Sequence, residues 1–195
     1  MRSKRTITWI SALAASGLLL AFGSGAAQAQ QRASSPTAQA NTSAQRGQLS
    51  AQDYNFLVTA ARIDLGEVQL GQLAQKQGTS QSVRNFAERM INDHSKANIG
   101  LNEIASEKDA TVPTQLSQKQ DSVLQPLEGL SGAKFDKTYA QHMVKGHTKA
   151  IKEFETASKD LSDPDLRAWA QTTLPLLQQH LRMARSMEQA VKAES

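Results

Sequence analysis

The chain has 195 residues, of which 39% are hydrophobic and 5% are aromatic, and it contains no cysteine. This length suits one domain with short additions, and the lack of cysteine excludes both a disulfide framework and a thiolate metal site. The formal net charge is +4, but residues 1–29 carry three basic residues and no acidic one, so the remainder carries +1. The charge therefore gives no support to nucleic-acid binding.

The first 29 residues have the pattern of a secretory signal peptide. Three basic residues within the first five precede a mostly apolar run from Ile7 to Phe22, and a small-x-small cleavage sequence follows at 27–29. An uncleaved anchor is disfavoured because the apolar run is short and contains Gly and Ser. We therefore predict cleavage after Ala29, a periplasmic or secreted location, and no membrane span in the mature protein.

Residues 30–50 are rich in Ser, Ala, Gln and Thr, have little to bury, and are predicted to form a disordered linker. Four long helices are expected within 51–193: one at about 51–77, one from about 80 that fades by 108, one that opens near 131 or 132 and continues to about 157, and one that begins at about 163. The connector 114–130 is expected to hold a short helix. These features predict an all-α, ferritin-like four-helix bundle with a long crossover between helices two and three that carries a short extra helix.

Each long helix carries a histidine or glutamate near the middle of its apolar face, where a charge is costly unless it is paired or bound. If the second and third long helices run parallel, these residues lie within about one turn of the same level. Together, imidazole and carboxylate suit zinc, iron, copper or manganese. The candidate ligands of a transition-metal ion are Glu67, His94, His147 and His180.

Metal-bound histidine usually needs an acceptor for its other ring nitrogen. Three acidic residues on or beside the same helix faces could supply it: Asp64, Asp93 and Asp136. Glycines within the helices cost stability relative to alanine and are interpreted as allowing close backbone packing or room for a ligand. They are Gly66, Gly71 and Gly146.

Two other readings stay open. The histidines could form a hydrogen-bond network that only sets the register of an envelope or interaction module, or the bundle could bind a small apolar ligand. A di-iron oxidase or ferroxidase is disfavoured, because the residues three before the candidate histidines are not acidic: Ile91, Val144 and Leu177. No catalytic motif is recognisable, so enzymatic activity stays open, as does the oligomeric state, for which a homodimer is one option.

The span from Phe56 to Met187 resembles the bacterial domain-of-unknown-function family 4142, whose members are often labelled predicted outer-membrane proteins. Matching features include FLVTAARIDLGEVQLGQLAQ at 56–75, VRNFAERMINDHSKAN at 83–98 and LSGAKFDKTYAQHMVKGHTKAIKEFE at 130–155, followed by DPDLRAWAQTTLPLLQQHLRMA at 163–184. The resemblance implies a ferritin-like helical bundle in an exported bacterial protein and no established activity. The recurring Glu and His positions of the family coincide with the four candidate ligands.

Overall fold

A computed structural model describes residues 49–194, which form five helices and, within that range, no strand. The helices are α1 (Ala51–Gln77), α2 (Gln81–Glu107), α3 (Gln118–Glu128), α4 (Gly132–Asp160) and α5 (Pro164–Ala193). The predicted all-α class is confirmed. The predicted signal peptide and nearly all of the predicted linker lie outside the described residues. Among the helices described, none has the length and apolar character needed to cross a bilayer.

The helices begin where their capping residues predict. Ser50 accepts a hydrogen bond from the backbone N–H of Asp53, 3.1 Å away, at the start of α1. Ser117 and Gln120 form a reciprocal capping box on α3. Asp163 accepts from two backbone N–H groups in the first turn of α5. Each oxygen satisfies donors that a helix start leaves without an intrahelical partner.

The four long helices pack so that α1 contacts α2 and α4, while α5 contacts α2 and α4 from the other side. Asp136, in the first turns of α4, accepts hydrogen bonds from Thr79 and Ser80 immediately before α2. Both α2 and α4 therefore start at the same end and run parallel. The connection between them crosses the length of the long helices, and α3 within it lies against α1 and α4.

At the other end of the long helices, away from the starts of α2 and α4, polar contacts join chain segments that are far apart in sequence. Asp53 accepts a hydrogen bond of 2.9 Å from the backbone N–H of Ser162. Lys108, just after α2, forms an ion pair of 2.9 Å with Asp163. These contacts place the start of α1, the end of α2 and the α4–α5 turn together.

The interior contains two apolar clusters with a polar layer between them. One cluster includes Leu70, Met90, Met143 and Ala184, and the other includes Ala61, Leu101, Ala150 and Leu177. On every long helix, at least one buried ionisable residue lies between the residue that belongs to the first cluster and the residue that belongs to the second. We call this set the polar layer: Asp64, Glu67, His94, His147 and His180.

Candidate metal centre

Three histidines from three helices meet in the polar layer. His94, His147 and His180 are 2%, 1% and 0% exposed, so water barely reaches them. One nitrogen of each ring lies within 4.8 Å of a nitrogen of each of the others. The ring centroids are 5.3 to 6.0 Å apart. The helical spacing of the sequence brought these residues to one level, and the packing of α2, α4 and α5 turns them toward each other.

Two of the rings are held by carboxylates. The Nδ1 of His94 lies 2.8 Å from an oxygen of Asp64 on α1, and both side chains are buried. The Nε2 of His180 lies 2.9 Å from an oxygen of Asp93 on α2. Arg89, one turn before Asp93, also bonds that carboxylate from the solvent side. Each aspartate therefore fixes the orientation of a ring on a neighbouring helix.

The third ring is held by its own helix. The Nδ1 of His147 lies 3.0 Å from the backbone carbonyl oxygen of Met143, one turn earlier in α4. A carbonyl oxygen only accepts, so this Nδ1 carries the proton. No sequence pattern could have identified this acceptor, because every residue has a carbonyl group.

These contacts leave one ring nitrogen free on each histidine. With the engaged nitrogens donating to oxygen acceptors, the neutral ring exposes a lone pair on its other nitrogen. The Nε2 of His94, the Nε2 of His147 and the Nδ1 of His180 are buried and have no hydrogen-bond partner among the described residues. Three electron-pair donors are therefore enclosed without a donor hydrogen to satisfy them.

The surroundings shift the pKa values of the three rings in different directions. Burial lowers the pKa of His180 to about 4, despite the opposing hydrogen bond to Asp93. Burial also lowers the pKa of His147, against the opposing charge of Glu67. For His94, burial acts downward, but the hydrogen bond to Asp64 and the charges of Glu67, Asp64 and Asp93 outweigh it and raise the pKa. His147 and His180 are thus held in the neutral form that binds metals.

Glu67 lies beside the three histidines. One of its oxygens is 3.9 Å from the Nδ1 of His147, on the side of the ring that faces Met143. Its other oxygen, Oε2, is buried without a hydrogen-bond partner in the described part of the chain. The group of three mutually close nitrogens does not include a Glu67 oxygen.

The structure places Asp136 away from the histidines. Its carboxylate accepts hydrogen bonds at 2.5 to 3.2 Å from the backbone and hydroxyl groups of the α1–α2 turn. Asp136 precedes His147 by eleven positions in α4, which is about 16 Å along a helix. The sequence pattern placed both residues on the same face of α4. Sharing a face does not show that two residues lie at the same depth, and Asp136 lies near the start of the helix whereas His147 lies near its middle.

A family model described as a domain of unknown function, DUF4142, matches residues 38–187 of this chain. The chain belongs to the DUF4142 family. All the histidines, aspartates and the glutamate described above lie within the matched range. The description of the DUF4142 family assigns no activity to its members.

Comparison with solved structures found a similar fold in the crystal structure of a DUF305 fragment from Deinococcus radiodurans. The TM-score is 0.64 at 12% sequence identity, over 75% of this DUF4142 chain and 99% of the other. At this identity the likeness concerns the helical fold alone. A comparison with curated proteins gave no match.

Proposed function

We propose that this DUF4142 protein binds one transition-metal ion between His94, His147 and His180. The observation that supports this proposal is the set of three buried ring nitrogens that lack a hydrogen-bond partner and belong to rings already anchored on their other side. This is the arrangement in which histidine serves as a metal ligand, since the second nitrogen is normally held by an oxygen acceptor.

A purely structural network would leave these three nitrogens without a donor from the described residues. A buried polar atom without a partner costs about 1–3 kcal/mol, and three such atoms belong to neighbouring rings here. A metal ion accepts all three lone pairs at once, whereas a proton satisfies one. The balance of these costs favours the metal-binding function over a network that only sets helix register.

The donor atoms narrow the choice of metal. Neutral imidazole suits zinc, copper, iron and nickel, while manganese prefers oxygen ligands, so the geometry favours the first group. Tetrahedral zinc with bonds of about 2.1 Å holds its nitrogens about 3.4 Å apart. Binding would therefore draw the three nitrogens closer, by up to about 1.4 Å from the 4.8 Å within which they lie, and leave a fourth position for water.

Metal content tests the proposal. The purified protein is stripped with a chelator, offered Zn²⁺, Cu²⁺ or Fe²⁺ under anaerobic conditions, and analysed for bound metal after desalting. We expect about one equivalent of at least one of these ions, and less than about a tenth of that in a His94→Ala/His180→Ala double variant, which removes two of three ligands.

His142→Ala is the matched control. His142 is the fourth histidine of the sequence, and it lies outside the group of three on the same helix as His147. Its replacement should leave the bound metal unchanged. Equal metal content in the double variant and the wild type, with both showing the same helical circular-dichroism spectrum, would show that any binding occurs elsewhere.

The alternative function is that of a non-enzymatic envelope or interaction module whose core network sets register. It is favoured by the contacts His94–Asp64, which joins α1 to α2, and His180–Asp93, which joins α2 to α5. On this reading, replacing all three histidines by leucine leaves the fold and the cellular role intact. Loss of the cellular role with an unchanged circular-dichroism spectrum would exclude it.

We further propose that the protein is exported, adopts a ferritin-like four-helix bundle, and serves metal handling or stress response in the periplasm. The pattern of residues 1–29 supports export, and the parallel α2 and α4 with their long connection support the bundle type. Mass spectrometry of the protein recovered from the producing cell should find Gln30 as the first residue; retention of Met1 would contradict cleavage after Ala29.

A further inference from the structure

A cavity of about 410 Å³ opens between α1, α3 and α4, beside the polar layer. This is within the size range of small-molecule sites in proteins. Its walls are largely apolar and include Ile63, Leu70, Val123, Leu124 and Ala150. The short helix α3, which forms one wall, is held to α1 by a hydrogen bond from the side chain of Gln120 to the carbonyl oxygen of Arg62.

Glu67 supplies an acidic group on the buried side of this cavity. It is 8% exposed and lines the cavity, and its Oε2 has no hydrogen-bond partner in the described range. Two glycines, Gly66 and Gly146, line the cavity with it. A side-chain carbon at Gly146 would stand 3.8 Å from the Oε1 of Glu67, so the glycine leaves open the space beside the carboxylate.

The outer part of the cavity carries the opposite charge. Arg62, Lys119 and Lys149 line it and are exposed. Lys149 forms a weak ion pair of 3.7 Å with Glu153, which also lines the cavity. Over residues 49–194, the cationic groups of Arg62 and Lys119 make no hydrogen bond or ion pair. The cavity is therefore acidic on its inner side, apolar along its walls and basic at its mouth.

We propose that this cavity binds a small zwitterion with an aliphatic body, such as an amino acid or a short ω-amino acid. Its ammonium group would meet the Oε1 of Glu67 in the space beside Gly146, and its carboxylate would meet the basic mouth. An amine alone would face the cations at the mouth, and a carboxylic acid alone would leave Glu67 without a donor. Only a ligand with both charges complements both ends.

This ligand site is separate from the three histidine nitrogens of the proposed metal centre. Glu67 faces the Nδ1 side of His147, whereas the unpartnered nitrogen of that ring is Nε2. Zwitterion binding therefore requires no metal. We expect it in protein stripped with a chelator and in the His94→Ala/His180→Ala variant, so failure of either proposal leaves the other testable.

Isothermal titration calorimetry with three probes of equal chain length tests the inference: 6-aminohexanoate, hexanoate and hexylamine. We expect 6-aminohexanoate to bind with a Kd of about 1 mM or tighter, and the two singly charged probes at least about tenfold more weakly. No heat of binding for 6-aminohexanoate at about 10 mM, or equal affinity for all three probes, would overturn the proposal.

Variants locate the site. Glu67→Gln should weaken 6-aminohexanoate binding by about tenfold or more, since it removes the charge that meets the ammonium group, while hexanoate binding should not fall. Glu155→Gln is the matched control, because Glu155 is an exposed glutamate on α4 that does not line the cavity. Gly146→Leu should abolish binding by filling the space beside Glu67. Unchanged affinity in both Glu67→Gln and Gly146→Leu would place the binding elsewhere and overturn the proposal.

Discussion

The chemistry of this DUF4142 chain depends on which nitrogen of each histidine is engaged. In His94 and His180 a carboxylate takes one ring N–H, and in His147 a backbone carbonyl does so. The acceptor decides the tautomer, so the other nitrogen of each neutral ring carries the lone pair. In the opposite tautomers these nitrogens would carry N–H groups and could not bind a cation.

For single residues, we predict that Asp64→Asn weakens metal binding about 10- to 100-fold. Asp64 holds the Nδ1 of His94 at 2.8 Å within the core, and an amide is a weaker acceptor that leaves the ring less basic and less firmly oriented. The dissociation constant of the metal, measured by competition with a chromogenic chelator, reports the effect.

Asp136→Asn is the control for that measurement. It removes a buried carboxylate of the same type, but one that bonds the α1–α2 turn. It should lower the stability of the fold and leave the metal affinity of the folded protein unchanged. An equal loss of affinity in both variants would mean that Asp64 acts only through general stability.

Among the elements, the contact between α1 and α2 is the one that sets the distance between Asp64 and His94. Gly71 lies at this contact. A side-chain carbon there would come within 2.8 Å of Ile91 and 3.0 Å of the carbonyl oxygen of Ala87. The sequence-based interpretation that Gly71 permits close backbone packing agrees with this geometry.

We therefore predict that Gly71→Ala destabilises the protein, although alanine is the better helix former. Alanine gains up to about 1 kcal/mol from helix propensity, but overpacking against a backbone carbonyl costs about 1–3 kcal/mol. The net loss is expected to be about 1 kcal/mol in the free energy of unfolding, measured by urea denaturation.

For Gly100→Ala on α2 we expect the opposite effect, a gain in the free energy of unfolding. A side-chain carbon at Gly100 would lie 3.6 Å from the ring of Trp169, an ordinary contact. This variant should gain up to about 1 kcal/mol. If Gly71→Ala proves as stable as Gly100→Ala, the close approach of α1 to α2 is not the reason for glycine at position 71.

For the whole molecule, the polar layer divides the apolar core into two clusters, so its charge state and occupancy bear on global stability. A ligand that binds only the folded protein at about 100 times its dissociation constant adds about 2.7 kcal/mol. For a chain of this size that corresponds to a rise of roughly 5–10 °C in Tm. We predict a rise of this size on adding the metal found by elemental analysis, measured by thermal circular dichroism.

The same scan on variants separates this effect from unspecific binding. His142→Ala should show the wild-type rise in Tm, and the His94→Ala/His180→Ala variant should show none. A rise of equal size in the double variant would place the stabilising ion outside the polar layer.

The sequence alone determined the helices and which residues share a level. Capping residues such as Ser50 and Asp163 mark helix starts by a local interaction, and a regular alternation of three- and four-residue steps places His94, His147 and His180 on buried faces, because helical geometry is fixed by the backbone. Helix length then gave their approximate depth.

Only the tertiary structure decided what these residues do to one another. The acceptor for His147 is a carbonyl group, the partner of Asp136 is a turn from another helix pair, and the cavity beside Glu67 exists because α3 lies across α1 and α4. Each depends on how helices rotate and approach, which residue spacing does not encode. The sequence brought four ionisable groups to one level, and packing brought a nitrogen of each of the three histidines within 4.8 Å of the others and placed Glu67 beside a cavity.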